Sequence, residues 1–141
     1  MADGTSDFAR SMSIATSGLR AQAGRMRVIS ENIANADSTA ATSTGEPYRR
    51  KVPTFSSALD RTLDARVVTL GKIRTDQSAF RVKHEPGNPA ADAAGNVKYP
   101  NVNPLVEMTD MREAQRSYEA NLNIISATRR MIQRTLDILK A

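Results

Sequence analysis

The chain has 141 residues, a net charge of +5, no cysteine and only 4% aromatic residues. The absence of cysteine excludes a disulfide framework, and a single histidine, His84, excludes a metal site built of several imidazole or thiolate ligands. No apolar run approaches the ~18 residues that a membrane span needs, and the polar residues 1–8 predict no cleavable signal peptide.

The first predicted element is a helix from about Phe8 to about Ala34, capped by Ser6 or Asp7 after a loose polar leader. Its side chains recur at alternating spacings of four and three, the repeat of a coiled-coil seam. The seam contains Phe8, Met12, Ala15, Leu19, Gln22, Met26, Ile29 and Ile33. A second stripe of Ile14, Ala21 and Val28 makes the apolar face wider than one partner helix would cover.

The middle of the chain, residues 36–103, is predicted to be a small β-rich insert with an extended loop. Small polar residues and the breakers Gly45 and Pro47 predict a loop that ends the first helix. Residues 55–65 are predicted to be a short helical or irregular piece. Strands are predicted over residues 66–75, with a kink at Gly71, over residues 79–84 and over residues 97–99.

The last third, residues 104–141, is predicted to be one long helix that starts at Asn103 and Pro104, a capping residue and a first-turn proline. A second seam contains Met108, Met111, Gln115, Tyr118, Leu122, Ile125, Arg129, Ile132, Leu136 and Leu139. Three seam residues are polar, namely Gln22, Gln115 and Arg129. Polar seam residues commonly fix the register of paired helices, and Gln22 and Gln115 have a second interpretation, that they lie at frayed or solvated positions.

These patterns predict a mainly α fold in which long N- and C-terminal helices, residues 1–35 and 104–141, pair as a coiled coil. The predicted intrachain pairing sets Leu19, Met26, Ile29 and Ile33 against Leu122, Ile125, Ile132 and Leu136. The insert is poor in large apolar residues, so the remaining stripes are expected to contact other subunits. The predicted subunit contacts are Ile14, Val28, Ile124, Met131 and Ile138.

The sequence contains few features that would indicate a catalytic or cofactor-binding site. It contains no glycine-rich phosphate loop, no dinucleotide fingerprint and no distinguished pair of carboxylates, so no catalytic residue, cofactor or metal is predicted. Arg49, Arg50 and Lys51 beside Tyr48 leave one alternative, a basic helical nucleic-acid-binding protein. The excess positive charge is spread along the chain rather than gathered into one stripe, which disfavours that alternative.

Three stretches resemble a known family. Residues 16–39, TSGLRAQAGRMRVISENIANADST, resemble the N-terminal signature of the flagellar rod and hook axial proteins. Residues 45–55, GEPYRRKVPTF, and residues 99–139 are similar to the proximal rod members of that family. The turns of residues 80–100 resemble the same members, with small departures at His84–Gly87 and Ala94–Asn96. The resemblance covers nearly the whole chain except residues 1–7 and part of 56–78.

The resemblance implies a non-enzymatic structural subunit of the bacterial flagellar basal body. Such a subunit assembles with copies of itself and with other rod proteins into a helical tube that transmits torque and surrounds the export channel. The resemblance also implies that the flagellar type III export apparatus delivers the chain without a cleaved signal, to a rod that crosses the periplasm. It implies no nucleic acid and no direct membrane span.

Overall fold

The computed structural model describes residues 2–140, and it describes side chains over residues 7–140. Within this range the chain forms two long helices separated by six short strands. None of the helices over residues 2–140 combines the length and apolarity that would let it cross a membrane.

Helix α1 comprises Ala2–Ala34 and helix α2 comprises Pro104–Lys140. The predicted end of α1 at Ala34 and the predicted start of α2 at Pro104 are confirmed. Asn103 caps α2 as predicted, since its side-chain Oδ1 accepts a hydrogen bond from the Leu105 N–H at 3.1 Å. The predicted start of α1 is wrong: the helix already includes residues 2–7, so neither Ser6 nor Asp7 is its cap, and only Met1 of the leader lies outside the described residues.

The strands of the described chain form three separate antiparallel pairs. The strands are β1 (Lys51–Val52), β2 (Phe55–Asp60), β3 (Ala65–Leu70), β4 (Arg74–Thr75), β5 (Arg81–His84) and β6 (Asn96–Tyr99). Strand β1 pairs with β4, β2 with β3, and β5 with β6. Each pair is a two-stranded ribbon, and such ribbons need support from neighbouring elements to be stable.

The segment after Thr54 differs from the prediction. Residues 55–60 form strand β2 rather than a helical or irregular piece, because a six-residue register with β3 satisfies the backbone groups that face β3. The single strand predicted over 66–75 is divided into β3 and β4 at the predicted kink, Gly71. The Gly71 N–H donates to Thr54 O at 2.6 Å, and a Cβ on Gly71 would lie 2.7 Å from Thr54 Oγ1.

The chain divides into two compact units, and each helix contributes residues to both. The hairpin unit contains α1 up to Met26, residues 54–72 with the β2–β3 hairpin, and α2 from Glu113 onward. The insert unit contains residues 27–53 and residues 73–112.

The two units have different cores. In the insert unit the buried apolar side chains include Val97, Tyr99 and Val102. In the hairpin unit the buried apolar residues are alanines, namely Ala15, Ala21, Ala65 and Ala114. The buried side chains of the hairpin unit are therefore small, whereas those of the insert unit include larger ones.

Candidate functional site

A buried polar network lies in the insert unit, and Asn32 is its centre. Asn32 is 1% exposed, and its amide makes four hydrogen bonds. Its Oδ1 accepts from the Tyr48 hydroxyl at 2.8 Å and from the Lys51 N–H at 2.9 Å. Its Nδ2 donates to Lys51 O at 2.8 Å and to Glu107 Oε2 at 3.0 Å. A fully satisfied buried amide of this kind fixes the end of α1 to strand β1 and to the first turn of α2.

Glu107 provides the charge of this network. Its side chain is fully buried, and its Oε1 accepts a hydrogen bond from Arg50 Nε at 2.6 Å. The same guanidinium lies 3.6 Å from Asp110 Oδ2 and 3.9 Å from Asp76 Oδ2. A buried carboxylate is costly without a partner, so Arg50 and Asn32 together make the burial of Glu107 tolerable.

Two further side chains tie the loops of the insert unit to its strands. Asn101 Oδ1 accepts from the Arg50 N–H at 2.8 Å, and Asn101 Nδ2 donates to Ser78 Oγ at 2.9 Å. Arg81 donates from Nη2 to Ala36 O at 2.7 Å and from Nε to Pro100 O at 3.0 Å. The Ala36 carbonyl, just after the end of α1, is therefore satisfied by a side chain from β5.

The electrostatics of the insert unit follow from these contacts. Burial, with smaller contributions from Glu31 and Glu107, raises the pKa of Tyr48 to about 12. Hydrogen bonds from the backbone N–H and then the side chain of Ser78 lower the pKa of Asp76. The Tyr48 hydroxyl therefore stays protonated, as its donation to Asn32 requires.

The basic triplet predicted as a possible nucleic-acid contact is committed to intramolecular contacts. Arg50 belongs to the buried network, and Lys51 Nζ pairs with Glu31. The Arg49 guanidinium lies 4.1 Å from the centroid of the Phe80 ring and 3.5 Å from a Glu46 carboxylate oxygen. Since phosphate contacts need cations that are free to approach a strand, the nucleic-acid alternative has no support.

In the hairpin unit α1 and α2 approach each other through small residues. A Cβ placed on Gly18 would lie 2.8 Å from Asn121 Nδ2, so only glycine fits at this point without a shift. Arg25 Nη2 also lies 3.4 Å from Glu113 Oε2. Residues 18 and 25 thus contact residues 121 and 113, an order that makes the two helices antiparallel here.

The buried stripe of α2 is offset from the predicted seam. Its buried or half-buried residues are Glu107, Met111, Ala114, Tyr118, Asn121, Ile125, Thr128 and Ile132. Half of this stripe matches the prediction, but the other half lies one residue earlier along the chain. The polar residues Gln115 and Arg129 are consequently exposed, which favours the solvated interpretation of Gln115. On α1, by contrast, the amide oxygen of Gln22 is buried and has no hydrogen-bond partner among the described residues.

The predicted seam residues occupy different environments. Ile29 is buried, and the half-buried ones are Leu19, Met26, Ile33, Ile125 and Ile132. Leu122 and Leu136 are exposed in the single chain, because the offset of the buried stripe moves Leu122 away from its centre and Leu136 lies beyond its last buried residue.

The residues predicted to contact other subunits are mostly exposed. Ile14, Ile124, Met131 and Ile138 are between 44% and 76% exposed. Val28 is only 3% exposed, so we remove it from the set: its side chain is already covered within the chain and is not available to a neighbour. The four exposed residues remain candidates for contacts between subunits.

Two shallow grooves in the hairpin unit are lined by both helices. One, of about 330 Å³, is lined by Phe8, Ala9, Met12, Ile132, Thr135, Leu136 and Leu139. The other, of about 210 Å³, is lined by Ser11, Ile14, Ala15, Asn121 and Ile124. Both grooves are open and dominated by apolar side chains, which suits packing against another protein surface better than chemistry on a small molecule.

Both ends of the chain match models of flagellar rod protein families. Residues 12–41 match the family described as "Flagella basal body rod protein". Residues 93–138 match the family described as "Flagellar basal body rod FlgEFG protein C-terminal". The buried Asn32 lies in the first match and the buried Glu107 in the second, so the network joins the two matched segments.

Relatives of known family place the chain more closely among the flagellar rod proteins. The chain is 53% identical to the flagellar basal-body rod protein FlgC of Agrobacterium fabrum, over 91% of this chain and 92% of the relative. It is 40% identical to FlgC of Bacillus subtilis, over 92% and 97% of the two chains, and 38% identical to FlgC of Salmonella typhimurium, over 89% and 92%. The chain therefore belongs to the FlgC family of flagellar basal-body rod proteins.

Proposed function

We propose that this chain is a structural subunit of the flagellar basal-body rod, in its proximal part. Membership of the FlgC family supports this role, and the observation that carries the mechanism is the row of large apolar side chains exposed on the helices of the hairpin unit. In this proposal the subunit assembles with its own copies and with other rod proteins into a tube that transmits torque and surrounds the export channel. It reaches the rod, which crosses the periplasm, through the flagellar type III apparatus without a cleaved signal peptide.

Assembly would be driven by burial of the exposed helix faces. Full burial of an isoleucine or methionine side chain is worth roughly 1.5–3 kcal/mol, so burying the remaining exposed half contributes about 1 kcal/mol per residue. The four side chains Ile14, Ile124, Met131 and Ile138 together then contribute about 4 kcal/mol for each subunit that joins. That energy becomes available only on association, which couples the ordering of the helix ends to assembly.

Within each subunit we propose that α1 and α2 of the hairpin unit pair as an antiparallel coiled coil. The approach of Gly18 to Asn121 and the ion pair of Arg25 with Glu113 support this pairing. In the proposed pair, Leu19, Met26, Ile125 and Ile132 all lie on the seam, and Ile132 lies opposite Phe8 and Met12, with which it lines a groove. The exposed Leu122 and Leu136 join Ile124, Met131 and Ile138 as contacts to neighbouring subunits.

The test is complementation of a bacterial strain that lacks the gene for this protein. Ile124→Lys and Met131→Lys each place a charge on the exposed face, and Asn123→Lys is the matched control on a neighbouring exposed position of the same helix. We expect the first two variants to abolish swimming and to be absent from purified basal bodies, whereas the control supports both. The helix content of each purified variant, measured by circular dichroism, should equal that of the wild type.

Two results would contradict the proposal. Normal incorporation of Ile124→Lys and Met131→Lys into basal bodies would show that this face does not bind a neighbour. Loss of helix content in either purified variant would show that the face is needed for folding instead of assembly.

A further inference from the structure

The β2–β3 hairpin carries a free strand edge along β2 and exposed apolar side chains on one face, and α1 contacts that face only on the β3 side, near Leu70 and Val68. The outer edge of β3 is contacted by α1, because the Val68 N–H donates to Ser17 Oγ at 3.2 Å. Strand β2 has no strand on its other side within residues 2–140, and all of its residues from Phe55 to Leu59 are exposed. An unpaired strand edge presents a row of free backbone donors and acceptors, which is a template for another strand.

The devices that usually protect such an edge are missing from β2. Its sequence, Phe-Ser-Ser-Ala-Leu-Asp, contains no lysine, arginine or proline, and its register with β3 runs through six consecutive pairs without a bulge. Phe55, Leu59 and Val68 lie on one face of the hairpin by strand alternation and by register, and all three are exposed. Ala65, on the opposite face, is buried, so the large exposed apolar side chains of the hairpin lie on one side.

We propose that β2 pairs with β2 of a second copy, antiparallel and in a two-fold register centred on Ser57. In this register Phe55 of each copy lies opposite Leu59 of the other. These two pairs extend the exposed apolar face across both hairpins. On the other face Ser56 lies opposite Ala58 of the second copy. Asp60 lies opposite Thr54 of the second copy, so no like charges oppose one another. Registers shifted by one residue would set apolar side chains against the opposite face and lose this match.

The second copy is the occupant that the sequence of β2 favours, because the strand is complementary to itself. A two-fold contact uses the same surface on both chains and closes after two copies. It cannot propagate into a tube whose subunits all point the same way. The contact therefore belongs to the unassembled chain, where it covers an aggregation-prone edge, and it is independent of the rod contacts proposed above.

The chain offers a sharp test because it contains no cysteine. In the proposed register Ser57 faces its own counterpart across antiparallel strands, at a Cα separation of about 4.5–5.5 Å, within the range that a disulfide spans. With oxidised glutathione as the oxidant, Ser57→Cys should form a disulfide-linked dimer with release of two molecules of reduced glutathione. Ser56→Cys, one residue away and also at an exposed position, faces Ala58 and should form little of this dimer.

A second pair of variants tests the contact without cross-linking. Leu59→Lys should convert the purified chain from dimer to monomer mass in light scattering. Val82→Lys, at a strand residue of similar exposure (60% against 57% for Leu59), should leave the dimer intact. Since both side chains are exposed, neither change should alter the helix content.

Three outcomes would overturn the proposal. The wild-type chain could stay monomeric over the whole concentration range, or the two cysteine variants could cross-link equally. The last outcome is that Ser57→Cys cross-links only when another rod protein is added. The last would place a different strand on β2. None of them bears on the rod proposal, which is tested separately by complementation.

Discussion

Replacement of Asn32 should be among the most damaging single changes in the insert unit. Asn32→Ala removes four hydrogen bonds and leaves Lys51 N–H, Lys51 O and one oxygen of the fully buried Glu107 without a partner. Each lost bond in such a setting costs roughly 1 kcal/mol, so the free energy of unfolding should fall by about 3–5 kcal/mol. The measurement is urea unfolding followed by circular dichroism, together with hydrogen exchange of the β1 peptide.

Asn35→Ala is the matched control, because Asn35 lies in the same Asn-Ile-Ala-Asn-Ala segment. Its side chain makes one hydrogen bond, from Nδ2 to Glu31 O at 2.8 Å, so its loss should cost only about 1 kcal/mol. If Asn32→Ala costs no more than Asn35→Ala, the network around Asn32 does not hold the insert unit together.

Asn32→Asp keeps the shape of the side chain but replaces its amide donor with a carboxylate oxygen. The variant retains the oxygen that accepts from Tyr48 and Lys51, but it sets a second oxygen against Glu107 Oε2, where the present contact is 3.0 Å. Two carboxylates at this distance favour a shared proton, which raises the pKa of the pair in the folded state above that of the unfolded chain. The stability deficit of Asn32→Asp should therefore be smallest at low pH and grow as the pH rises towards neutrality. A deficit independent of pH would refute the assignment of Nδ2 as the donor to Glu107.

Three further changes test other parts of the structure. Gly18→Ala should lower the free energy of unfolding by roughly 1–3 kcal/mol in a urea titration, because its Cβ would lie 2.8 Å from Asn121 Nδ2. Gly87 has open space around it, so Gly87→Ala should have little effect in the same titration. Gly95→Ala should cost about 1 kcal/mol or more, because Gly95 has a φ of 78°, and thermal unfolding measures the loss. The folded state holds the Tyr48 proton more tightly than the unfolded state, so the free energy of unfolding should fall as the pH rises from 10.0 to about 12. Tyr48→Phe should remove this part of the fall, as measured by alkaline unfolding followed by circular dichroism.

The sequence was sufficient to predict the helices where local signals were strong. Asn103 and Pro104 start α2, and the small polar residues after Ala34 end α1. The start of α1 was missed because the polar residues before Phe8 carry no apolar periodicity, although they are helical. Strand β2 was missed because Ser and Ala have weak strand preference, and only its pairing with β3 makes the segment extended.

The seam of α2 illustrates a different difficulty. A search for large apolar residues selects Leu122 and accepts Gln115 and Arg129 as exceptions. At the corresponding positions the chain has the buried Ala114 and Thr128 and the half-buried Asn121. Small or polar residues give no signal in a hydrophobic pattern. The two polar exceptions in this seam were the available sign that half of its positions should be shifted by one residue.

The polar network was not predictable from spacing, because Asn32 and Glu107 are 75 positions apart and neither is chemically unusual. Their neighbourhoods were recognised only as segments that resemble a family. The structure shows that each segment provides one side of a buried amide–carboxylate contact. Sequence reasoning thus located both halves of the network without seeing that they meet.

The two units should therefore differ in stability before assembly, since one is fixed by hydrogen bonds and the other buries mainly alanine. Burial of an alanine methyl contributes far less than burial of a leucine or isoleucine, about 0.8 kcal/mol against roughly 1.5–3 kcal/mol. Hydrogen exchange of the free chain should consequently be slow in peptides from residues 97–112 and fast in peptides from residues 120–138. Incorporation into basal bodies should slow exchange in the second region most, as its exposed apolar side chains become covered. Uniform protection along α2 in the free chain would mean that the helix is already stable by itself, and that its exposed face does not depend on neighbours for order.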